Sequence, residues 1–171
     1  GSATRQEIER FALLPGDVVI TKDSELRDDI AVPALVEESG AGTVCGYHLA
    51  IIRPNSRRAS GSFLFWALWS RPVAEQFANQ AKGVTRFGLT LHGIGSVRVP
   101  VPHLQMQKRI AVFLDRETAR IEELINRKQR MNSLLDDMEQ ALLETLVKGR
   151  HQRDVDLKAP DAEWIGNIPR H

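Results

Sequence analysis

The chain has 171 residues, a formal net charge of +1 and 42% apolar residues, which suits one domain with an appendage and a modest core. The longest apolar candidate, Phe63 to Leu68, falls far short of the ~20 residues of a membrane helix, so no membrane partner is expected. A balance of +1 argues against nucleic-acid binding by bulk positive charge, and any such binding must rest on local clusters.

Residues 3–102 read as α+β. Leu14-Pro15-Gly16-Asp17 punctuates the start, and Val18-Val19-Ile20-Thr21 follows as a β-branched strand. Val32 to Glu37 is a weaker strand candidate. Val44 to Arg53 is the strongest, ending at the turn signal Pro54-Asn55-Ser56. From Ser62 to Gln80, Phe63, Trp66, Ala67, Trp69, Val73 and Phe77 recur at helical spacing. Ser62 is the expected cap, Pro72 the expected break and Gly83 the expected stop. Ile94 to Val101 returns to an extended pattern that ends at Pro100 and Pro102.

Residues 103–149 differ in kind. No Pro or Gly occurs from His103 to Lys148. Leu114, Ile121, Lys128, Leu135 and Leu142 recur every seventh residue, and Leu124, Met131, Met138 and Thr145 follow three residues behind. This is the a/d seam of a coiled coil, flawed at Lys128 and Thr145. A continuous helix here would be ~70 Å long. Its stripe needs a partner helix, so a homodimer is expected through Leu114, Ile121, Leu124, Met131, Leu135, Met138 and Leu142. Residues 150–171 are polar except for a cluster around Trp164, too little for a core.

Catalytic patterns are not found. The five histidines lie at no zinc-ligand spacing from one another or from Cys45. Gly40-Ala41-Gly42 and Gly93-Ile94-Gly95 lack the strand–turn–helix setting of a dinucleotide loop. Asp28-Asp29 and Glu37-Glu38 are adjacent, so in an extended chain their side chains diverge. The lone Cys45 cannot close an internal disulfide, which suits a reducing cytoplasm. His48, next to Tyr47 in an expected strand, reads as structural.

Two clusters suit nucleic acid. Arg57 and Arg58, with Arg53, gather at a strand end and turn. Lys82 to Gly88 places Lys82, Thr85 and Arg86 on a flexible turn, where arginine can reach a base edge and hydroxyls can reach phosphate. Lys22 joins these as a candidate DNA contact.

Several stretches together resemble the DNA sequence-specificity subunit of type I restriction-modification systems. They are Leu14 to Asp23 with Asp29 to Val36, and Gly46-Tyr47-His48-Leu49-Ala50 leading to Arg53-Pro54. Gly83 to Gly88 is similar to a Gly-x-Thr-Arg turn of these domains. Val99-Pro100-Val101-Pro102 with Leu104, Gln107, Ile110, Leu114 and Asp115 resembles the junction between a target recognition domain and the family's long helix. Thr118 to Ile121, Ala141 to Leu143 and Lys148-Gly149 extend the match, and Glu163 to Pro169 resembles the opening of a recognition domain.

The resemblance implies a partial target recognition domain over 3–102, a coiled-coil spacer helix over 103–149, and a linker with the start of a following domain over 150–171. It implies a non-catalytic, cytoplasmic subunit, bacterial or archaeal, that reads half of a bipartite site in double-stranded DNA. Its expected partners are methyltransferase subunits, which would carry S-adenosylmethionine, and a restriction subunit. The junction departs from the family's usual pattern at His103, Gln105 and Met106. A recognition domain of another restriction-modification class, or a coiled-coil scaffold with an α+β cap, would share much of this pattern.

Overall fold

A computed structural model describes residues 4–37 and 43–147, and the backbone of residues 157–158 and 168–169. Its first element, α1 (Arg5–Phe11), has a sequence-encoded start. The Thr4 side chain accepts from the Glu7 N–H, and Glu7 reaches back to the Thr4 N–H, a capping box.

The β-branched run forms β1 (Val18–Thr21), the middle strand of a three-stranded antiparallel sheet. On one side lies β3 (Pro33–Leu35), with Val18 opposite Leu35. On the other lies β4 (Leu49–Ile52), with Val18 opposite Ile52 and Thr21 opposite Leu49. A middle strand can be covered on both faces, and Val18, Val19 and Ile20 are all buried. The expected strand from Val44 is shorter than its pattern suggested. Val44 makes only an isolated bridge to Ala12, and a turn at Tyr47-His48 precedes β4.

The helical pattern after this sheet is two helices, α2 (Gly61–Trp69) and α3 (Arg71–Gln80). Ser60, not Ser62, caps the first, accepting from the Phe63 N–H. Pro72 lies in the first turn of α3, where its missing N–H costs nothing, so the break falls at Ser70. Helix α2 packs on β1 and β3. Gly61 permits the approach: a Cβ there would sit 2.1 Å from the Gly16 carbonyl oxygen. Val18, Ile20, Ile30, Leu64, Leu68, Val73, Phe77 and Leu89 form the core.

The stretch expected to be extended from Ile94 begins inside a helix, α4 (Leu91–Ser96). Thr90 caps it by accepting from the Gly93 N–H, and Gly93 is buried against Gln80. Only residues 97–101 stay extended, without entering a sheet. Gln76 of α3 holds them through two hydrogen bonds to the backbone of Arg98, 2.9 and 3.0 Å. Two short strands, β2 (Asp23–Ser24) and β5 (Phe87–Gly88), pair antiparallel.

Helix α5 (Leu104–Val147) runs 44 residues without interruption, about 66 Å at 1.5 Å per residue. The molecule is α+β: small sheets with short helices, then this long helix. Contacts divide the chain into two compact units, 1–116 and 117–171. In the first, Gln107 is fully buried. Its carboxamide oxygen accepts from the Ser60 N–H at 2.9 Å, and its NH2 donates to the carbonyls of Arg58 and Pro102 at 2.8 and 2.6 Å. The Trp66 indole N–H donates to Asp115 at 2.7 Å.

In the second unit, Ile121, Leu124, Met131, Leu135, Met138 and Leu142 are each about half exposed or more, with Ile125, Leu134 and Leu146 beside them. The stripe is therefore wider than the heptad seam read from the sequence. Leu114, in the first unit, is half-buried. On the polar face Arg127 pairs with Glu123, one turn away. Leu157-Lys158 pairs antiparallel with Ile168-Pro169 as β6 and β7. Trp164 lies outside the described residues.

Candidate nucleic-acid interface

The six cationic and hydroxyl candidates fall into two groups, because β1 and β4 run antiparallel and hold their ends apart. Four residues of strand span about 13 Å. At one end of β4 lie Asp17, Arg53, Arg57 and Arg58; at the other lie Lys22, Asp23, Tyr47 and His48.

At the first end, Arg53 is committed to the fold. Its Nε and Nη2 donate to the two carboxylate oxygens of Asp17 at 2.8 and 2.7 Å, and Nη2 also donates to the Ala12 carbonyl. Asp17 is 2% exposed and also accepts from the Leu14 N–H. The Arg53 hydrogen bonds hold the Asp17 carboxyl below the usual carboxylate range; burial opposes this, and the Leu14 N–H adds to it. Arg53 is thus a brace rather than a free contact, whereas Arg57 and Arg58 on the following turn are exposed. That turn is built on Asn55, whose backbone and side-chain oxygens accept from the N–H groups of Arg58 and Arg57.

At the second end, the Lys22 backbone N–H donates to the His48 carbonyl, and its carbonyl accepts from the Leu89 N–H, both at 2.8 Å. This stitches three segments distant in sequence. The Lys22 ammonium lies 4.3 Å from the centroid of the Tyr47 ring, which is 80% exposed. The Lys82–Gly88 turn closes with reciprocal backbone hydrogen bonds of 3.0 and 2.8 Å between its ends. Gly83 makes this possible at φ +131°, since a Cβ there would lie 1.8 Å from the Arg86 carbonyl oxygen. Lys82, Thr85 and Arg86 are all exposed on the turn.

Arg86 leans back over β2. Its Nη2 donates to Asp23 Oδ1 at 3.2 Å, and His48 Nδ1 lies 2.5 Å from the same oxygen. Burial pushes the Asp23 carboxyl up, but the hydrogen bonds and charges of Arg86 and His48 outweigh it and leave the group below its ordinary range. An open cleft of about 900 Å³ adjoins these residues, with Arg10, Phe11, Tyr47, Leu49 and Leu91 among its walls.

The structure therefore brings Lys22 together with the Lys82, Thr85 and Arg86 turn, and places Arg57 and Arg58 at the far end of β4. Asp23, Tyr47 and His48 complete the Lys22 group, although the sequence alone assigns them no contact role. The available signal was the polar run Lys22-Asp23 directly after a strand, facing another strand's entry at Tyr47-His48. Among the described residues no group of three His, Cys, Asp or Glu side chains is placed to hold a metal. No helix there is long and apolar enough to cross a membrane.

No protein-family model and no curated protein matches the chain. Among the solved structures similar to it are two S subunits. The HsdS subunit from Thermoanaerobacter tengcongensis superposes with a TM-score of 0.58 at 23% identity, covering 88% of this chain and 36% of that one. The type I restriction-modification system S subunit from M. genitalium gives 0.52 at 17% identity, covering 88% of this chain and 40% of that one. The chain thus spans well under half the length of each. Over 88% of its residues, what it shares with them is the fold of a type I restriction-modification S subunit.

Proposed function

We propose that the chain is part of the DNA sequence-specificity subunit of a type I restriction-modification enzyme. The observation that carries this reading is the shared S-subunit fold, which extends over both the α+β part and the long helix. On this reading the first unit reads half of a bipartite site in double-stranded DNA. Lys22, Lys82, Thr85 and Arg86 contact the duplex at one end of β4, and Arg57 and Arg58 contact it at the other. The chain is non-catalytic and works in the cytoplasm. The chemistry belongs to methyltransferase subunits that carry S-adenosylmethionine and dock on α5, alongside a restriction subunit.

With a net charge of +1, the expected binding is local rather than diffuse, and it weakens steeply with salt. Selection from randomised duplexes, with the chain alone and with methyltransferase subunits added, tests the assignment. A recovered sequence preference supports it; salt-sensitive binding without any preference in the reconstituted complex removes it. Within that assay, Arg86→Ala should weaken preferred-site binding by about 1–3 kcal/mol, roughly fivefold to 150-fold, with unchanged circular dichroism. Full affinity in the variant would strike Arg86 from the contact set.

The apolar stripe of α5 supports self-association. Ile121, Leu124, Met131, Leu135, Met138 and Leu142 present a continuous greasy face that a second copy can cover. The expected result is a dimer in sedimentation at tens of micromolar. Leu135→Asp should weaken it by about tenfold or more, since it would bury a charge in the seam. A wild-type monomer with an intact helix would refute the homodimer.

A further inference from the structure

One carboxylate oxygen, Asp23 Oδ1, receives two donors. His48 Nδ1 lies 2.5 Å away and Arg86 Nη2 lies 3.2 Å away, while the two nitrogens are 2.9 Å apart. The contacts cannot all be hydrogen bonds at once. If Nδ1 carries the proton that it gives to ionised Asp23, it has no lone pair for Arg86, and the 2.9 Å contact sets two donors side by side. Arg86 is then held only by Asp23, crowded by a second donor, with its side chain 51% exposed. Its Nε and Nη1 have no hydrogen-bond partner among the described residues. Asp23 itself is only 16% exposed and sits on β2, whose pairing with Gly88 fixes it beneath the turn. Lys22 and Lys82 flank it without forming ion pairs among the described residues. Asp23 is thus anchored beside Lys22 and Lys82 while holding Arg86.

We propose that Asp23 is a specificity-determining residue. It captures Arg86 in the free chain and penalises duplexes that offer Arg86 only phosphate. The proposal rests on the DNA-reading assignment above. A phosphate that draws Arg86 away leaves the Asp23 carboxylate with the His48 hydrogen bond but without its arginine, facing another negative charge. A base edge presenting neutral acceptors, such as guanine O6 and N7, engages the unused donors of Arg86 without that repulsion. Asp23 therefore sets discrimination by opposing the wrong contact rather than by making the right one.

The test measures binding of the 171-residue chain to a random-sequence duplex across a salt series. Asp23→Asn preserves shape and removes the charge. It should bind about fivefold tighter or more, with a log–log salt slope steeper by about one, as an extra phosphate contact requires. Adding Arg86→Ala to Asp23→Asn should erase the gain. Asp28→Asn, an equal charge change on the exposed turn before β3, should leave the slope unchanged. If Asp23→Asn does not fold by circular dichroism, Asp23→Ser replaces it with the same expectations. Equal or weaker binding by the Asp23 variant, or a gain that survives Arg86→Ala, overturns the proposal while the DNA reading stands. Absence of duplex binding at low salt by the wild type and every variant overturns both.

Discussion

Replacing Gln107 by leucine should lower stability by about 4 kcal/mol and Tm by about 10 °C. The side chain is fully buried and closes three hydrogen bonds, to the backbones of Arg58, Ser60 and Pro102. Leucine fills a similar volume but strands one N–H and two carbonyls, and each stranded group costs about 1–3 kcal/mol. Ser60 is also the cap of α2, so the loss reaches the core through that helix. Gln107→Glu sharpens the test. Its carboxylate could still accept from Ser60 but would confront two carbonyl oxygens, so its folded-state pKa is expected above the unfolded value. Its stability relative to wild type should be greatest at low pH and fall as pH rises through the carboxylate range toward neutrality. Chemical denaturation of both variants at several pH values checks this; a loss under about 1 kcal/mol for Gln107→Leu would show the lock to be dispensable.

The second large effect is expected at Asp17. Arg53→Met should cost about 3 kcal/mol at pH 7, toward the lower end for a broken buried pair because the Arg53 side chain is 45% exposed. The sign of the pH dependence follows from the lowered Asp17 pKa. In the native chain the group contributes stability above the usual carboxylate range and loses it as pH falls through its depressed folded value. Without Arg53 the buried carboxylate has no counter-charge, and it can neutralise by taking up a proton. The stability gap between wild type and variant should therefore shrink as pH is lowered from 7 toward 4. A gap that is constant over that range would mean that Arg53 acts through packing alone.

What was legible in the sequence was local. The β-branched run Val18 to Thr21 and the Pro- and Gly-free helix of residues 104–147 are carried by patterns a few residues long. The capping box Thr4–Glu7 was equally local, yet α1 went unread, because no apolar face follows it strongly enough to draw attention. Ile94 to Ser96, expected to be extended, is helical for a physical reason. The glycines of α4 disfavour helix and its β-branched Ile94 favours extended chain, but the Thr90 cap and the packing of Gly93 on Gln80 prevail over those preferences. Contacts at the candidate interface are long-range: Asp23 meets Arg86 across 63 positions, and Asp17 meets Arg53 across 36. No periodicity encodes such pairs, so the sequence could offer cations on turns but not the acids that hold them. Gln107 was singled out only through family resemblance; its burial by three backbone partners appears only in the folded chain.

The strands β1 and β4 end near an acid–arginine pair on each side, and the two pairs differ in how deeply the acid is set. Asp17 is 2% exposed beneath an arginine that is 45% exposed, whereas Asp23 is 16% exposed beneath one that is 51% exposed. Dissolved ions screen the shallower pair more than the deeper one. Added electrolyte is thus a selective reagent for this molecule: it can loosen the outward latch while the inward clasp, and the architecture hung on it, stays shut.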